Sequence, residues 1–261
     1  MQALRLPAAH GWRWIAEGFR LYRRNPPLLT LLALNYWLFF LLIFLVPLVG
    51  PFAANIVLQT LSVTVMNGCR AVDQRQSVGL DIVWSGFKRN LPTLLKLGVL
   101  YLACELAIAA VLVAIYGPQL MESVNLGGQP GAAPALDEDA VMSFLYAALV
   151  LTLPLMLSFW FAPLLVAWKD MPALKALFFS IVAVARNWRA FVVYGAAAML
   201  LTAVVPGLLR ALFGFSDALL TVASAAVTIA LVFVAMPTLF ASVYVSFREV
   251  FAEVNSVVTD A

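Results

Sequence analysis

The sequence predicts an all-α integral membrane protein with six transmembrane helices, arranged as three helical hairpins, each preceded by a cytoplasmic interfacial amphipathic helix. Three observations predict it. Of 261 residues, 64% are hydrophobic and 11% charged, whereas a soluble domain carries roughly 45–50% apolar and about 25% charged residues, so polar side chains are too few to cover a water-facing exterior. The scarce charges also cluster: none falls between Asn25 and Cys69, between Ala140 and Trp168, or between Ala218 and Phe247. About 20 apolar residues cross a bilayer core as helix, so such runs read as spans. Finally, Arg-Asn recurs at Arg24-Asn25, Arg89-Asn90 and Arg186-Asn187, each time between a basic, partly amphipathic stretch and an apolar pair of helices.

The first element is the stretch before Pro26, which carries basic residues, no apolar leader region and no small-residue cleavage pattern, so no processing is expected. On a helical wheel Trp12, Ile15, Phe19 and Tyr22 fall within about 80° of one another, and Arg13, Glu17, Arg20 and Arg24 form a second stripe within about 60°. Such a helix can lie in the headgroup plane, rings inward and guanidiniums on lipid phosphate. It can equally pack against the ends of the spans. Spans follow near 28–48 and 52–69, separated by the helix-breaking Val46-Pro47-Leu48-Val49-Gly50-Pro51. A second interfacial helix is expected over Val78–Arg89, then a third span near Leu91–Tyr116. The loop 117–140 comes next, rich in Gly, Pro and Ala; in it Asp137, Glu138 and Asp139 suit the N-terminus of the following helix. The fourth span covers about Val141–Trp168 and the third interfacial helix Ala173–Arg189, the one most suited to packing on the bundle. The fifth and sixth spans are expected near 190–209 and 218–240.

Residues 1–261 thus form a single membrane domain, with repeats at about 11–70, 77–168 (including the periplasmic loop 117–140) and 171–251. Lys and Arg near span ends set orientation. Fourteen lie on the side of the N-terminus: Arg5, Arg13, Arg20, Arg23, Arg24, Arg70, Arg75, Lys88, Arg89, Lys169, Lys175, Arg186, Arg189 and Arg248; the opposite side has only Arg210. A bacterial inner-membrane protein with both termini cytoplasmic is the expectation.

The net charge of +3 is too small to suggest a nucleic-acid partner. Cys69 and Cys104 read as small buried apolar residues rather than a disulfide. With one histidine, His10, and no clustered ligands, neither a metal nor another cofactor is expected. Catalytic signatures are missing: there is no Gly-x-Ser-x-Gly elbow, no phosphate-binding Gly-rich loop, no His-Glu-x-x-His and no intramembrane aspartate. The chain therefore reads as a non-enzyme.

One carboxylate interrupts the apolar interior. Glu105 stands about 21 Å from the cytoplasmic edge of a core about 30 Å thick. Counting from Pro51 puts Gln59 and Asn55, one turn apart on the second span, about 18 and 24 Å from that edge. The three form a candidate intramembrane polar site, either a proton or substrate site or an interhelical polar clamp. Lys96 reads as snorkelling to the interface and Asn35 as a further clamp. Pro154, Pro163 and Pro237 can bend their helices, as in transporters whose broken helices line substrate sites. Tyr194-Gly195 with Ser224, Ala226, Thr228 and Ala230 suggests close packing of the last hairpin.

Several of these stretches also carry a resemblance. Gly11-Trp12-Arg13-Trp14-Ile15, Arg24-Asn25-Pro26, Phe161-Ala162-Pro163-Leu164-Leu165-Val166, Lys169-Asp170-Met171-Pro172 and Ser246-Phe247-Arg248-Glu249-Val250-Phe251 are similar to a betaproteobacterial six-span inner-membrane protein family of unknown function. More distantly, the repeat looks like the membrane domain attached to some glycerophosphodiester phosphodiesterases, without their catalytic domain. The resemblance implies fold and location and transfers no activity. Two functions fit. In the first, the protein engages membrane lipids, or a membrane-protein partner or second copy of itself, through Arg13, Arg20, Arg24, Lys88, Arg89, Arg186 and Arg189 as anionic-lipid contacts. The alternative is a small transporter or permease-like component working at Glu105.

Overall fold

Prolines and glycines set where the helices begin. In the computed structural model, which describes residues 3–126, 138–204, 222, 226 and 231–252, helix α1 runs His10–Tyr22 and α2 Pro26–Phe44. Pro26 and Pro27 occupy the first turn of α2, where no N–H is needed, and the Asn25 side chain accepts from the Leu28 N–H at 3.3 Å. The chain reverses through Leu45–Val49 into α3, Gly50–Asp73. A Cβ on Gly50 would lie 2.4 Å from the Ile43 carbonyl, so only glycine closes this turn.

α2 is apolar around its whole circumference and buries only Leu29, Leu32 and Ala33, which suits a lipid-facing helix. α3 is the central post, buried along most of its length and packed on α2 and the elements that follow. The expected second interfacial helix is instead a short 3₁₀ segment, Leu80–Phe87. Gly86 lets it press on α3, where a Cβ would sit 2.3 Å from the Thr60 carbonyl, and the Thr64 hydroxyl accepts from the Gly86 N–H at 3.1 Å.

Helix α4 runs Leu91–Leu126 and α5 Glu138–Ser158. The loop expected at 117–140 is therefore helical at both ends: Pro118 lies inside α4, and the helix-forming Gln119–Leu126 carries on past it. The expected fourth span is broken at Phe159–Phe161 before α6, Ala162–Lys169, with Pro163 in its first turn. The Ser180 hydroxyl accepts from the Phe161 N–H at 3.0 Å, which satisfies the backbone at the break.

Helices α7 (Ala173–Arg186) and α8 (Trp188–Met199) meet at Asn187, and the pair is bent by 81°. α8 continues as a π-helical turn, Leu200–Val204, and a second π turn, Leu231–Ala235, leads into α9, Met236–Val250. Four stretches are long and apolar enough to cross a membrane: Pro26–Phe44, Gly50–Asp73, Leu91–Pro118 and Val141–Lys169; the bent α7–α8 pair makes a fifth candidate. The first half of the expected sixth span apart from Val222 and Ala226, the end of the fifth, and the small residues Ser224, Thr228 and Ala230 lie outside the described residues.

α1 is built into the bundle. A Cβ on Gly11 would meet the Ala190 carbonyl of α8 at 2.2 Å, and one on Gly18 the backbone of Thr238 and Ser242 in α9 at 2.7–2.9 Å. Its buried face is Gly11, Trp14, Ile15, Gly18, Leu21 and Tyr22, and Trp14 packs edge-on against Phe191 at 5.3 Å. The expected stripe of Trp12, Ile15, Phe19 and Tyr22 is thus split: Ile15 and Tyr22 turn inward, while Trp12 and Phe19 stay outside at 50% and 41% exposure. The close-packed face runs through the glycines because only there can helix backbones touch. In the last pair, Tyr194 packs closely and shares a hydrogen bond of 2.8 Å with Ser242, but Gly195 faces open space.

Candidate functional site: the basic end of the bundle

Hydrogen bonds tie the ends of α1, α3, α7 and α9 into one basic end. Asp73, the last residue of α3, accepts from Arg248 at 2.7 Å, from the Tyr244 hydroxyl at 3.0 Å and from Arg24 at 3.1 Å. Arg248 reaches on to Glu17 at 3.0 Å, so one guanidinium bridges α1 and α3 from its place on α9. The next residue, Glu249, accepts on one oxygen from the Trp14 indole at 2.9 Å and lies 2.7 Å from His10 Nδ1. Nothing in the local sequence of Arg248-Glu249 pointed to this network, whose partners lie some 175 to 239 positions away.

The three repeated asparagines stand at corresponding junctions and act differently. Asn25 caps α2. Asn90, in the left-handed region at φ 55°, donates to the Val166 carbonyl at 2.9 Å and to Asp170 at 2.6 Å, while Arg89 pairs with the same carboxylate. Asn90 first, then Arg89, hold the Asp170 carboxyl below its ordinary range. Asn187 is fully buried: its carbonyl accepts from the Leu6 N–H at 2.8 Å and its amide donates to Leu4 and Ala183, both at 2.9 Å. The segment before α1 is thereby fastened to the α7–α8 elbow.

The anionic-lipid candidates fall into two groups. Arg24, Lys88 and Arg89 pair with Asp73, Asp81 and Asp170. Arg13, Arg20, Arg186 and Arg189 form no ion pair among the described residues, and Arg5, which the sequence reading did not single out as a contact, joins them. On α1 the exposed Arg13 and Arg20 follow directly after the exposed Trp12 and Phe19. At the elbow, Arg5, Arg186 and Arg189 line a cleft of about 410 Å³ together with Trp188, over whose ring Arg189 lies at 5.5 Å.

Glu105 lies on the inward stripe of α4, Leu94, Leu97, Tyr101, Glu105 and Leu112, half-buried beside the Tyr101 hydroxyl. Lys96 is exposed. Gln59 is buried on α3, and the Asn55 amide donates back to the Pro51 carbonyl at 3.1 Å. No hydrogen bond joins Glu105 to either amide among the described residues. Two contacts give the register of α3 and α4: Gly98 meets Ile56, and Gly86, just ahead of α4, meets Thr64, so the helices run antiparallel. At 1.5 Å per residue Glu105 then lies about 9 Å beyond Asn55 and about 15 Å beyond Gln59 along the axis. Counting from the span ends had put all three level.

One comparison with known proteins is decisive. A Burkholderia thailandensis protein named "Probable inner membrane protein" is 34% identical over 200 residues, which span 75% of this chain and 74% of that relative. The chain belongs to this family of inner-membrane proteins. No family model and no solved structure matches it, so the likeness to phosphodiesterase membrane domains finds no support. Its apolar helices agree with a place in the inner membrane, and its arginine-lined surfaces are the features to interpret there.

Proposed function

We propose that this is a non-enzymatic, six-span inner-membrane protein with both termini in the cytoplasm, whose basic cytoplasmic end engages anionic membrane lipids. The observation that carries the reading is the outer face of α1. With Gly11, Trp14 and Gly18 turned inward, the exposed remainder alternates aromatic and cationic residues: Trp12 with Phe19, and Arg13 with Arg20. Aromatic rings and guanidiniums side by side are suited to headgroup depth, where the rings contact acyl chains and the charges meet phosphate. A polybasic surface contributes about 1 kcal/mol per Lys or Arg at an anionic leaflet. A non-enzymatic role is supported by the lack of a nucleophile–base pair in the sequence.

The test is lipid retention by the purified full-length chain. Replacing Arg13, Arg20 and Arg24 together by Gln is expected to lower the ratio of co-purified phosphatidylglycerol to phosphatidylethanolamine at least twofold, whereas Glu105→Gln leaves it unchanged. An unchanged ratio in the arginine variant, with function lost on Glu105→Gln, would overturn the reading in favour of a transport site.

A further inference from the structure

The α7–α8 elbow joins two clefts of opposite character. On one side Arg5, Arg186 and Arg189 line the cleft of about 410 Å³, whose walls hold no acidic side chain. On the other, a cleft of about 580 Å³ runs between α5, α7 and α8, walled by Leu153, Leu157, Ile181, Val192 and Gly195 among others, nearly all apolar. Trp188 lines both, so one indole borders the two spaces. Each volume falls within the roughly 300–1,000 Å³ of small-molecule sites.

The site is built rather than incidental. Asn187 makes three hydrogen bonds, one buried and two part-buried, that fix the elbow and hold the Leu4–Leu6 segment against it, which brings Arg5 to the same cleft as Arg186 and Arg189. Three guanidiniums facing one space without an acidic partner repel one another unless an anion lies between them. Guanidiniums bind phosphate through paired N–H donors. Gly195 leaves the floor of the apolar side open, with no atom within 4 Å of where its Cβ would be. A charged cleft and an apolar one on either side of a single tryptophan match, in order, the headgroup and the acyl chain of a phospholipid.

We propose that this two-part cleft binds a single anionic phospholipid, its phosphate among Arg5, Arg186 and Arg189 and an acyl chain in the apolar cleft past Trp188. This rests on the lipid-engaging reading above and adds to it a defined, saturable site. Native mass spectrometry of the full-length protein in detergent, titrated with palmitoyl-oleoyl phosphatidylglycerol, tests it. The expected result is one saturable adduct per chain, competed neither by inorganic phosphate nor by glycerol phosphate at equal concentration, because the chain contributes to binding.

Arg186→Gln with Arg189→Gln removes the phosphate half, and Gly195→Leu or Val192→Trp fills the chain half. Each is expected to weaken the saturable adduct at least tenfold, while Arg13→Gln with Arg20→Gln leaves it intact. Intrinsic tryptophan fluorescence identifies any variant that fails to fold, and two chain-side variants guard against losing one. Loss in the arginine pair without loss in either folded chain-side variant would overturn the two-part site and leave the general lipid reading standing. An adduct competed by inorganic phosphate would reduce the site to a phosphate cleft and overturn the proposal. No preference for the anionic lipid in any form of the protein would overturn both readings.

Discussion

Replacing Gly18 by Ala adds one methyl group to α1 where no space exists. The new Cβ would stand 2.7 Å from the Ser242 N and 2.8 Å from the Thr238 carbonyl, both backbone atoms of α9 that cannot rotate away. Ordinary contact begins near 3.4 Å, so α1 and α9 must part by about half an ångström along their whole interface. Overpacking of this kind costs about 1–3 kcal/mol. The alanine's better helix propensity returns about 1 kcal/mol, which leaves a net loss of about 0–2 kcal/mol.

Gly195→Ala supplies the internal control. It gains the same propensity in α8 and meets nothing. The two variants should therefore differ by the overpacking cost alone, about 1–3 kcal/mol, or about 2–12 °C in apparent melting temperature at roughly 2–4 °C per kcal/mol. Thermal unfolding of the detergent-solubilised chain, followed by tryptophan fluorescence, reads the difference, with Gly18→Ala below the parent and Gly195→Ala at or above it. Equal melting temperatures would refute the claim that α1 is wedged between α8 and α9, and would return it to the membrane surface as a loosely attached helix.

Further outcomes follow from the polar contacts. Asp73→Asn and Arg248→Gln should each destabilise, and a double-mutant cycle should give a coupling of about 0.5–3 kcal/mol; strict additivity would mean that the network carries no stability. Asn187→Ala removes three hydrogen bonds at about 1 kcal/mol each, two of them to Leu4 and Leu6, so trypsin should cut after Arg5 at least tenfold faster than in the parent, and an unchanged rate would refute the fastening of that segment. In a chain with Cys69→Ala and Cys104→Ala, a single cysteine placed at Ser77 should react with an impermeant maleimide only from the cytoplasmic side and one placed at Gly128 only from the periplasm; the reverse pattern would overturn the orientation.

What the sequence makes legible depends on whether the cause is local. Proline placement predicts the starts of α2 and α3 because a missing N–H and a fixed φ act within one turn, whereas Pro237, read as a bend inside a span, stands in the first turn of α9. Pro163 was visible too, but a bend and a full break at Phe159–Phe161 look alike in sequence, since the break depends on Ser180 arriving from α7. The inward face of α1 was misjudged for a different reason. In a membrane both lipid and protein interior accept Trp and Phe, so a hydrophobic stripe does not say which way it points, whereas Gly11 and Gly18 do, by marking where backbones touch.

The basic residues were legible as a set, because position relative to span ends suffices to place them. Their division into paired and unpaired groups was not: Arg24 meets Asp73 and Arg89 meets Asp170 only through the tertiary fold. Arg5 joins Arg186 and Arg189 through the reach of Asn187 across some 180 residues of sequence. The level alignment of Glu105 with Asn55 and Gln59 came from counting in from assumed ends; the crossing of Gly98 on Ile56 fixes the register instead.

The central claim is that the arginine-bearing end holds anionic lipid at a defined place. Its most direct test is photo-crosslinking in proteoliposomes with a phosphatidylglycerol carrying a diazirine in its acyl chain, followed by peptide mapping. The account predicts labelling concentrated on the α5 and α8 walls of the elbow cleft, around Leu153–Leu157 and Val192–Ala198, abolished by Arg186→Gln with Arg189→Gln and not reproduced by a phosphatidylcholine probe. Labelling spread over the exposed apolar surface of α2 in proportion to its area, at Leu38, Leu41 and Leu42 as much as at the elbow and alike for both probes, would contradict it.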